Sequence, residues 1–253
     1  MTRSARKRVR GPWGGAACGL IPWGRRRSVP SAPRLIRPVS TAMAFWFVHA
    51  FGVTLAHAMN APEIFVLSGP NGAGKSTTAT VLLPERLRID QFVNADVIGL
   101  ALSGSSPGGR ALEAGRLMLE QIHELRDRGR SFAFETTLAS RSYVSFLREA
   151  QHAGYIVHVI YVWLSSVELA LSRVAIRVEQ GGHDVPRHAV ERRYALGLRN
   201  FFELYLPLAD TWALCDNSSD EQRVVARGGR DAELVVFEPG TFDLIRKRAF
   251  DDG

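Results

Sequence analysis

Gly69-Pro70-Asn71-Gly72-Ala73-Gly74-Lys75-Ser76-Thr77 fits the phosphate-binding pattern G-x-x-x-x-G-K-[ST] at every position. Before it runs Ile64-Phe65-Val66-Leu67-Ser68, apolar and rich in strand formers. After it, Thr77 to Leu83 reads as helix until Pro84. A strand feeding a glycine-rich turn that opens a helix is the context this motif needs. The glycines let the backbone bend until several N–H groups face one anion, and the helix N-terminus adds its partial positive charge. Lys75 is then placed to reach the β- and γ-phosphates of a nucleoside triphosphate. The Ser76 hydroxyl is placed to ligate Mg²⁺. Residues 69–77 are therefore read as a nucleotide-binding loop.

Outward from this loop, strand and helix signals alternate through residues 59–253. That alternation predicts an α/β domain built on a parallel sheet flanked by helices. A short second strand is expected at Phe92-Val93-Asn94. Leu112, Leu119, Ile122 and Leu125 form one apolar helix stripe, ended by Gly129. Ser131 to Glu135 reads as a buried strand, and Ser142 to Ala153 as a helix closed by Gly154. Tyr155 to Leu164, almost wholly apolar or β-branched, reads as the central strand. Val167 to Gln180 is a helix, broken by Gly181-Gly182-His183-Asp184-Val185. Pro186 opens another, with Val190, Tyr194, Leu198, Phe201 and Tyr205 at helical spacing. Trp212 to Cys215 is a late strand. Val224-Val225-Ala226 and Leu234 to Phe237, flanking Gly228-Gly229, read as a C-terminal β-hairpin.

Composition bounds the partners. Of 253 residues, 46% are hydrophobic and 23% charged, as in ordinary globular domains. The formal charge of +7 is uneven. Residues 1–58 hold ten Lys and Arg and no acid, which leaves 22 basic against 25 acidic residues, or −3, for residues 59–253. The high isoelectric point thus says nothing of the domain, and a nucleic-acid partner is not expected. Two cysteines, Cys18 and Cys215, exclude a disulfide framework or a cysteine-rich zinc site. Residues 1–58, a basic stretch and then an apolar run from Thr41 to Ala58, read as non-domain sequence. Three readings stand: a start placed upstream of a true first residue at Met59, an export signal, or a membrane anchor. In none does the segment enter the core domain, which is expected in the cytoplasm, where ATP is available, and off the membrane.

Three constellations carry chemistry. Asp96 follows the second strand, at the carboxyl edge where ligands of parallel sheets bind. It suits a base or a Mg²⁺-orienting carboxylate, and equally a helix cap. Glu135-Thr136-Thr137 ends the next buried strand, as the acidic end of a Walker B strand does. Glu135 could hold Mg²⁺ through water or bind a substrate hydroxyl. Arg173 and Arg177 share a helix face, and Arg187, Arg192 and Arg193 follow across the glycine break. Arginines on both sides of such a break suit a helical lid that closes over phosphates. His183 reads as a loop residue. Leu102-Ser103-Gly104 superficially resembles the signature of transport ATPases but stands too soon after Lys75. Asp96-Val97-Ile98-Gly99 matches the D-x-x-G of GTPases, but no N-K-x-D follows.

The ordered set resembles the zeta-toxin-like P-loop kinases. It comprises the phosphate loop, Asn94-Ala95-Asp96, Glu135-Thr136-Thr137, Arg173-Val174-Ala175-Ile176-Arg177, Gly181-Gly182-His183-Asp184-Val185-Pro186, Arg192-Arg193-Tyr194 and Asp216-Asn217-Ser218. The resemblance covers most of residues 61–226. It implies a compact α/β kinase that uses ATP and Mg²⁺. Characterised members phosphorylate a sugar hydroxyl of UDP-N-acetylglucosamine and are restrained by an antitoxin. Carried over, Lys75 would bind phosphates, Ser76 would bind Mg²⁺ and Asp96 would be the base. Glu135 and Thr136 would approach the acceptor, and Arg177 and Arg193 would be lid arginines. The arginine spacing departs from that of the classical toxins. The nearer likeness is to the shorter stand-alone branch of predicted ATPases, for which toxicity does not follow. Two functions from different classes are therefore carried forward. One is a kinase acting on a small hydroxylated acceptor; the other is a nucleotide-binding regulatory or partner-binding module with little turnover.

Overall fold

The computed structural model describes residues 61–251, apart from 84–86, 88, 102–106 and 183. The segment 1–58, Met59, Pro84, Leu102-Ser103-Gly104 and His183 lie outside the described residues. No described helix is long and apolar enough to cross a membrane.

Five strands run parallel: β1 (Glu63–Ser68), β2 (Phe92–Asn94), β3 (Phe132–Thr136), β4 (Ile156–Trp163) and β5 (Thr211–Asp216). β6 (Arg223–Gly229) and β7 (Val235–Val236) add antiparallel at one edge, giving the order β2-β3-β1-β4-β5-β6-β7. Parallel neighbours need crossovers, and helices supply them. α1 (Lys75–Leu82) follows β1, and α2 (Ala95–Ala101) and α3 (Pro107–Asp127) follow β2. α4 (Ser142–His152) follows β3. α5 (Val167–Glu179), α6 (Arg187–Asn200) and a π-helical turn, Phe201–Tyr205, lie between β4 and β5; α7 (Pro239–Asp251) closes the chain. The result is the P-loop NTPase architecture. β1 is connected onward to β2 on one side, whereas its neighbour β3 is connected onward to β4 on the other, so the carboxyl ends of β1 and β3 open onto the crevice where such sheets bind ligands.

The sheet is buried on both faces, which is why its strands read as nearly continuous apolar runs. The two-residue alternation of side chains divides the core. Ile64, Val66, Phe132, Phe134, Val157, Val159 and Tyr161 pack on the side of α3, α4 and the π-helical turn. Phe65, Leu67, Ala133, Ile160 and Val162 pack on the side of α1 and α5. β4 is the fourth of seven strands, central as its composition predicts.

Three details differ from expectation. The buried stripe of α3 is Ala114, Met118, Ile122 and Leu125, whereas Leu112 is 80% exposed on another face. Gly228 and Gly229 lie inside β6 rather than at its turn. A Cβ on Gly229 would stand 2.2 Å from the Asp210 carbonyl oxygen, and one on Gly228 2.9 Å from the Trp212 indole. The hairpin turns instead at residues 230–234 and extends the main sheet. α7 has no counterpart in the sequence reading. Its buried residues are Ile245 and Ala249, too sparse a stripe beside Arg246-Lys247-Arg248 to signal a helix.

Candidate active site

β1 delivers the chain into the phosphate loop under tight constraint. Ser68 Oγ donates to the Ile160 carbonyl (2.7 Å). Gly69 has φ 135°, and a Cβ there would stand 2.1 Å from the Val162 carbonyl oxygen, so only glycine fits. The Lys75 side chain is folded back into the loop, 5% exposed as a residue, with Nζ donating to the Pro70 carbonyl (2.9 Å).

Glu135 is the hub of the site. Its Oε1 lies 3.5 Å from Lys75 Nζ. Its Oε2 accepts from Ser76 Oγ (2.6 Å) and from Asn94 Nδ2 (2.9 Å). The register explains the meeting: β1 and β3 pair Ser68 with Thr136, and β2 and β3 pair Asn94 with Glu135. Asn94 also turns its Oδ1 to the Asp96 amide (2.8 Å). Asn94 therefore caps α2, and the Asp96 side chain is left for other work. Asp96 sits in the first turn of α2 with its Oδ2 3.5 Å from Arg177 Nη1, both side chains more than a third exposed.

Arg193 Nη1 donates to Asn71 Oδ1 in the phosphate loop (3.3 Å). Burial lowers the Arg193 pKa, the charge of Asp96 opposes that shift, and Arg192 adds to it. The guanidinium stays charged nonetheless. Asn71, Lys75, Asp96, Glu135, Thr136 and Arg193 thus line one cleft of about 460 Å³. Arg173 and Arg177, four apart on α5, do not converge on a single partner. Arg177 faces Asp96, whereas Arg173 packs beside Gly72 in the field of Asp216. Gly181 and Gly182 end α5 as a C-terminal cap, their amides donating to Val178 and Arg177 carbonyls (2.9 and 2.8 Å). Cys215 is fully buried, and burial pushes its thiol up to about 12, which removes it from any nucleophilic role.

The loop after β3 is held from behind by parts of the chain that motif reading did not single out. Leu138 takes a positive φ of 55°, unusual for a bulky residue. Asn200 Nδ2 donates to the Leu138 carbonyl (2.7 Å) and Tyr205 OH to the Ser140 carbonyl (2.6 Å). Gly197 lets α6 approach: a Cβ there would stand 2.3 Å from the Thr137 carbonyl oxygen. The spacing of Val190, Leu198, Phe201 and Tyr205 signals only a buried face, and nothing in it marks Asn200 or Gly197 as props. Gly197→Ala is therefore expected to destabilise the fold by about 1–3 kcal/mol, the usual cost of overpacking, despite the better helix former. Thermal unfolding checks this; an unchanged or raised melting temperature would mean that the loop yields freely.

Comparison with known proteins agrees with this architecture. A family model described as an AAA domain matches residues 64–196. An uncharacterized protein of Haemophilus influenzae is 29% identical over 126 residues, which span 50% of this chain and 88% of that protein. Among solved structures, AvrRxo1-ORF1:-ORF2 with ATP matches with a TM-score of 0.61 at 20% identity, covering 81% of this chain and 69% of that one. The PezAT chromosomal toxin-antitoxin system of Streptococcus pneumoniae matches with a TM-score of 0.51 at 16% identity, covering 85% of this chain and 90% of that one. At such identities the likeness is one of fold.

Proposed function

The chain belongs to the AAA-domain family, and we propose that it is an ATP-dependent phosphotransferase, a zeta-toxin-like kinase that moves the γ-phosphoryl group to a hydroxyl of a small molecule. One observation carries this reading: the phosphate-loop cation Lys75, the carboxylates of Asp96 and Glu135, and Arg193 line a single cleft, with Arg177 3.5 Å from Asp96 beside it. A site that only held nucleotide would need neither Asp96 nor an open space beside it.

The residues divide the work. The loop 69–77 and Lys75 hold the phosphates. Ser76 Oγ and the Glu135 carboxylate, already in contact, are the hard oxygen donors that suit Mg²⁺. When bound, that ion would neutralise charge on the phosphate oxygens. Thr136, beside Glu135, borders the acceptor's side of the cleft. Asp96 takes the proton of the acceptor hydroxyl as its oxygen bonds to phosphorus and the bond to the departing ADP breaks. Arg177 and Arg193 supply positive charge to the transferring group.

The first acceptor to test is a nucleotide sugar such as UDP-N-acetylglucosamine. The two solved structures named above each pair two proteins, one of them a toxin with its antitoxin, which supports an antitoxin-like protein as a partner. That partnership also favours the second reading, a nucleotide-binding module with little turnover. A reaction that consumes ATP is one suited to the cytoplasm, where ATP is available.

The test is incubation with ATP, Mg²⁺ and a panel of hydroxylated acceptors led by nucleotide sugars, read by mass spectrometry. ADP and a phosphorylated acceptor should appear together, and both should vanish when Mg²⁺ is chelated. ATP binding with no ADP formed across the panel would replace the kinase with the binding module.

A further inference from the structure

The polar cleft does not end at Asp96 and Glu135. Beyond Gly115, Ser140 and Tyr143, which border both spaces, it continues into a groove of about 710 Å³ between α3 and the start of α4. The character of the lining changes there. Leu112 and Leu119 from α3 and Tyr143 from α4 dominate the groove. Leu112 is 80% exposed, an apolar side chain turned largely to solvent at the groove. Tyr143 is buried, its hydroxyl turned to Met118 Sδ (3.6 Å) and its ring packed on Phe134 (5.2 Å), so it offers the groove a small part of its surface. The cation at the rim, Arg116, is paired with Glu120 (3.7 Å).

Gly115 is the passage between the two spaces. It stands well inside α3, where glycine is the poorest choice after proline. Apart from its own turn of the helix, no described residue places a heavy atom within 4 Å of where its Cβ would be. Helix packing therefore does not require a glycine at this position. A side chain there would project into the opening that joins the polar cleft to the groove.

On the kinase reading above, we infer that the acceptor is an elongated molecule with a hydroxylated head and an uncharged, apolar body. The head lies at Asp96 and Glu135, and the body passes Gly115 to rest on Leu112, Leu119 and Tyr143. Among the described lining residues, the Glu113 carboxylate disfavours a second phosphate-bearing group, and the apolar surface of Leu112 and Leu119 favours an alkyl or aryl body.

The experiment uses the full chain with ADP and Mg²⁺, and methyl, hexyl and phenyl N-acetyl-β-D-glucosaminides as probes. Binding is followed by calorimetry, and phosphorylation by mass spectrometry after ADP is replaced by ATP. The hexyl or the phenyl compound should bind at least about tenfold more tightly than the methyl compound, the gain expected from burying a body of that size. Whichever does so tells an alkyl from an aryl body. Gly115→Leu should erase the difference, and Leu112→Asn should reduce it at least about threefold. Melting temperature is recorded for both variants. The exposed Leu112 variant decides the matter alone should Gly115→Leu fail to fold. Equal binding of all three compounds, no binding of either apolar compound, or a preference that survives in both variants overturns the inference. So does efficient phosphorylation of UDP-N-acetylglucosamine that Gly115→Leu leaves untouched, although that result sustains the kinase reading. An apolar preference without phosphoryl transfer to any compound has the opposite meaning: the groove stands and the kinase reading falls.

Discussion

Lys75→Ala should abolish phosphoryl transfer and weaken ATP binding by at least about 100-fold, or ~3 kcal/mol. The loop's backbone amides would remain, but its one mobile charge on the β- and γ-phosphates would be gone. The structure adds a cost to the protein without nucleotide. Lys75 Nζ lies 3.5 Å from Glu135, whose side chain is only 11% exposed, and satisfies the Pro70 carbonyl. Alanine leaves that carboxylate without its cation, although Ser76 and Asn94 still donate to it. A stability loss of about 1–3 kcal/mol is therefore expected alongside the loss of function. Lys75→Arg separates the two effects. It keeps a charge near Glu135 but replaces a compact ammonium with a planar fork, so stability should recover more than turnover does. Calorimetric ATP titration, melting temperature and turnover on the pair give the answer. Undiminished turnover in Lys75→Ala would remove the loop from the chemistry.

Much of this arrangement is legible in the sequence alone, for physical reasons. A glycine-rich loop between a strand and a helix is local in sequence, so nine consecutive residues carry the whole signal. The central position of β4 was legible because burial on both faces leaves a continuous apolar run from Ile156 to Trp163. What is local reads well; what depends on register does not. That Asn94, rather than Asp96, caps α2 follows from one hydrogen bond, and both residue types are good caps. That Glu135 meets Ser76 depends on the pairing of β3 with β1, which no spacing reveals. The separate surroundings of Arg173 and Arg177 were hidden for a similar reason. Their shared helix face is visible, but Asp96 and Asp216, the acids near them, come from strand ends far apart in sequence. Leu112 misleads in the sequence, where its spacing reads as part of the buried stripe although it is exposed.

Asp96→Asn should leave ATP affinity within a few-fold of the parent and lower turnover by roughly two to four orders of magnitude, the span of a lost general base. Asparagine keeps the size and most of the hydrogen-bonding capacity but removes the charge that accepts the proton. The structure makes this substitution a clean one. Asn94 Oδ1 already takes the Asp96 amide, so the cap of α2 does not depend on the Asp96 side chain. The ion pair to Arg177, at 3.5 Å with both side chains more than a third exposed, is screened by water and is worth no more than about 1 kcal/mol. Melting temperature should therefore hardly move. Loss of ATP affinity in parallel with turnover would instead show that Asp96 serves nucleotide binding, through Arg177 and Arg193. Near-parent turnover would pass the proton to Glu135, the other carboxylate lining the cleft. Glu135 is the weaker candidate on this geometry. Lys75, Ser76 and Asn94 already surround its two oxygens, whereas Asp96 meets a single arginine at the mouth of the cleft.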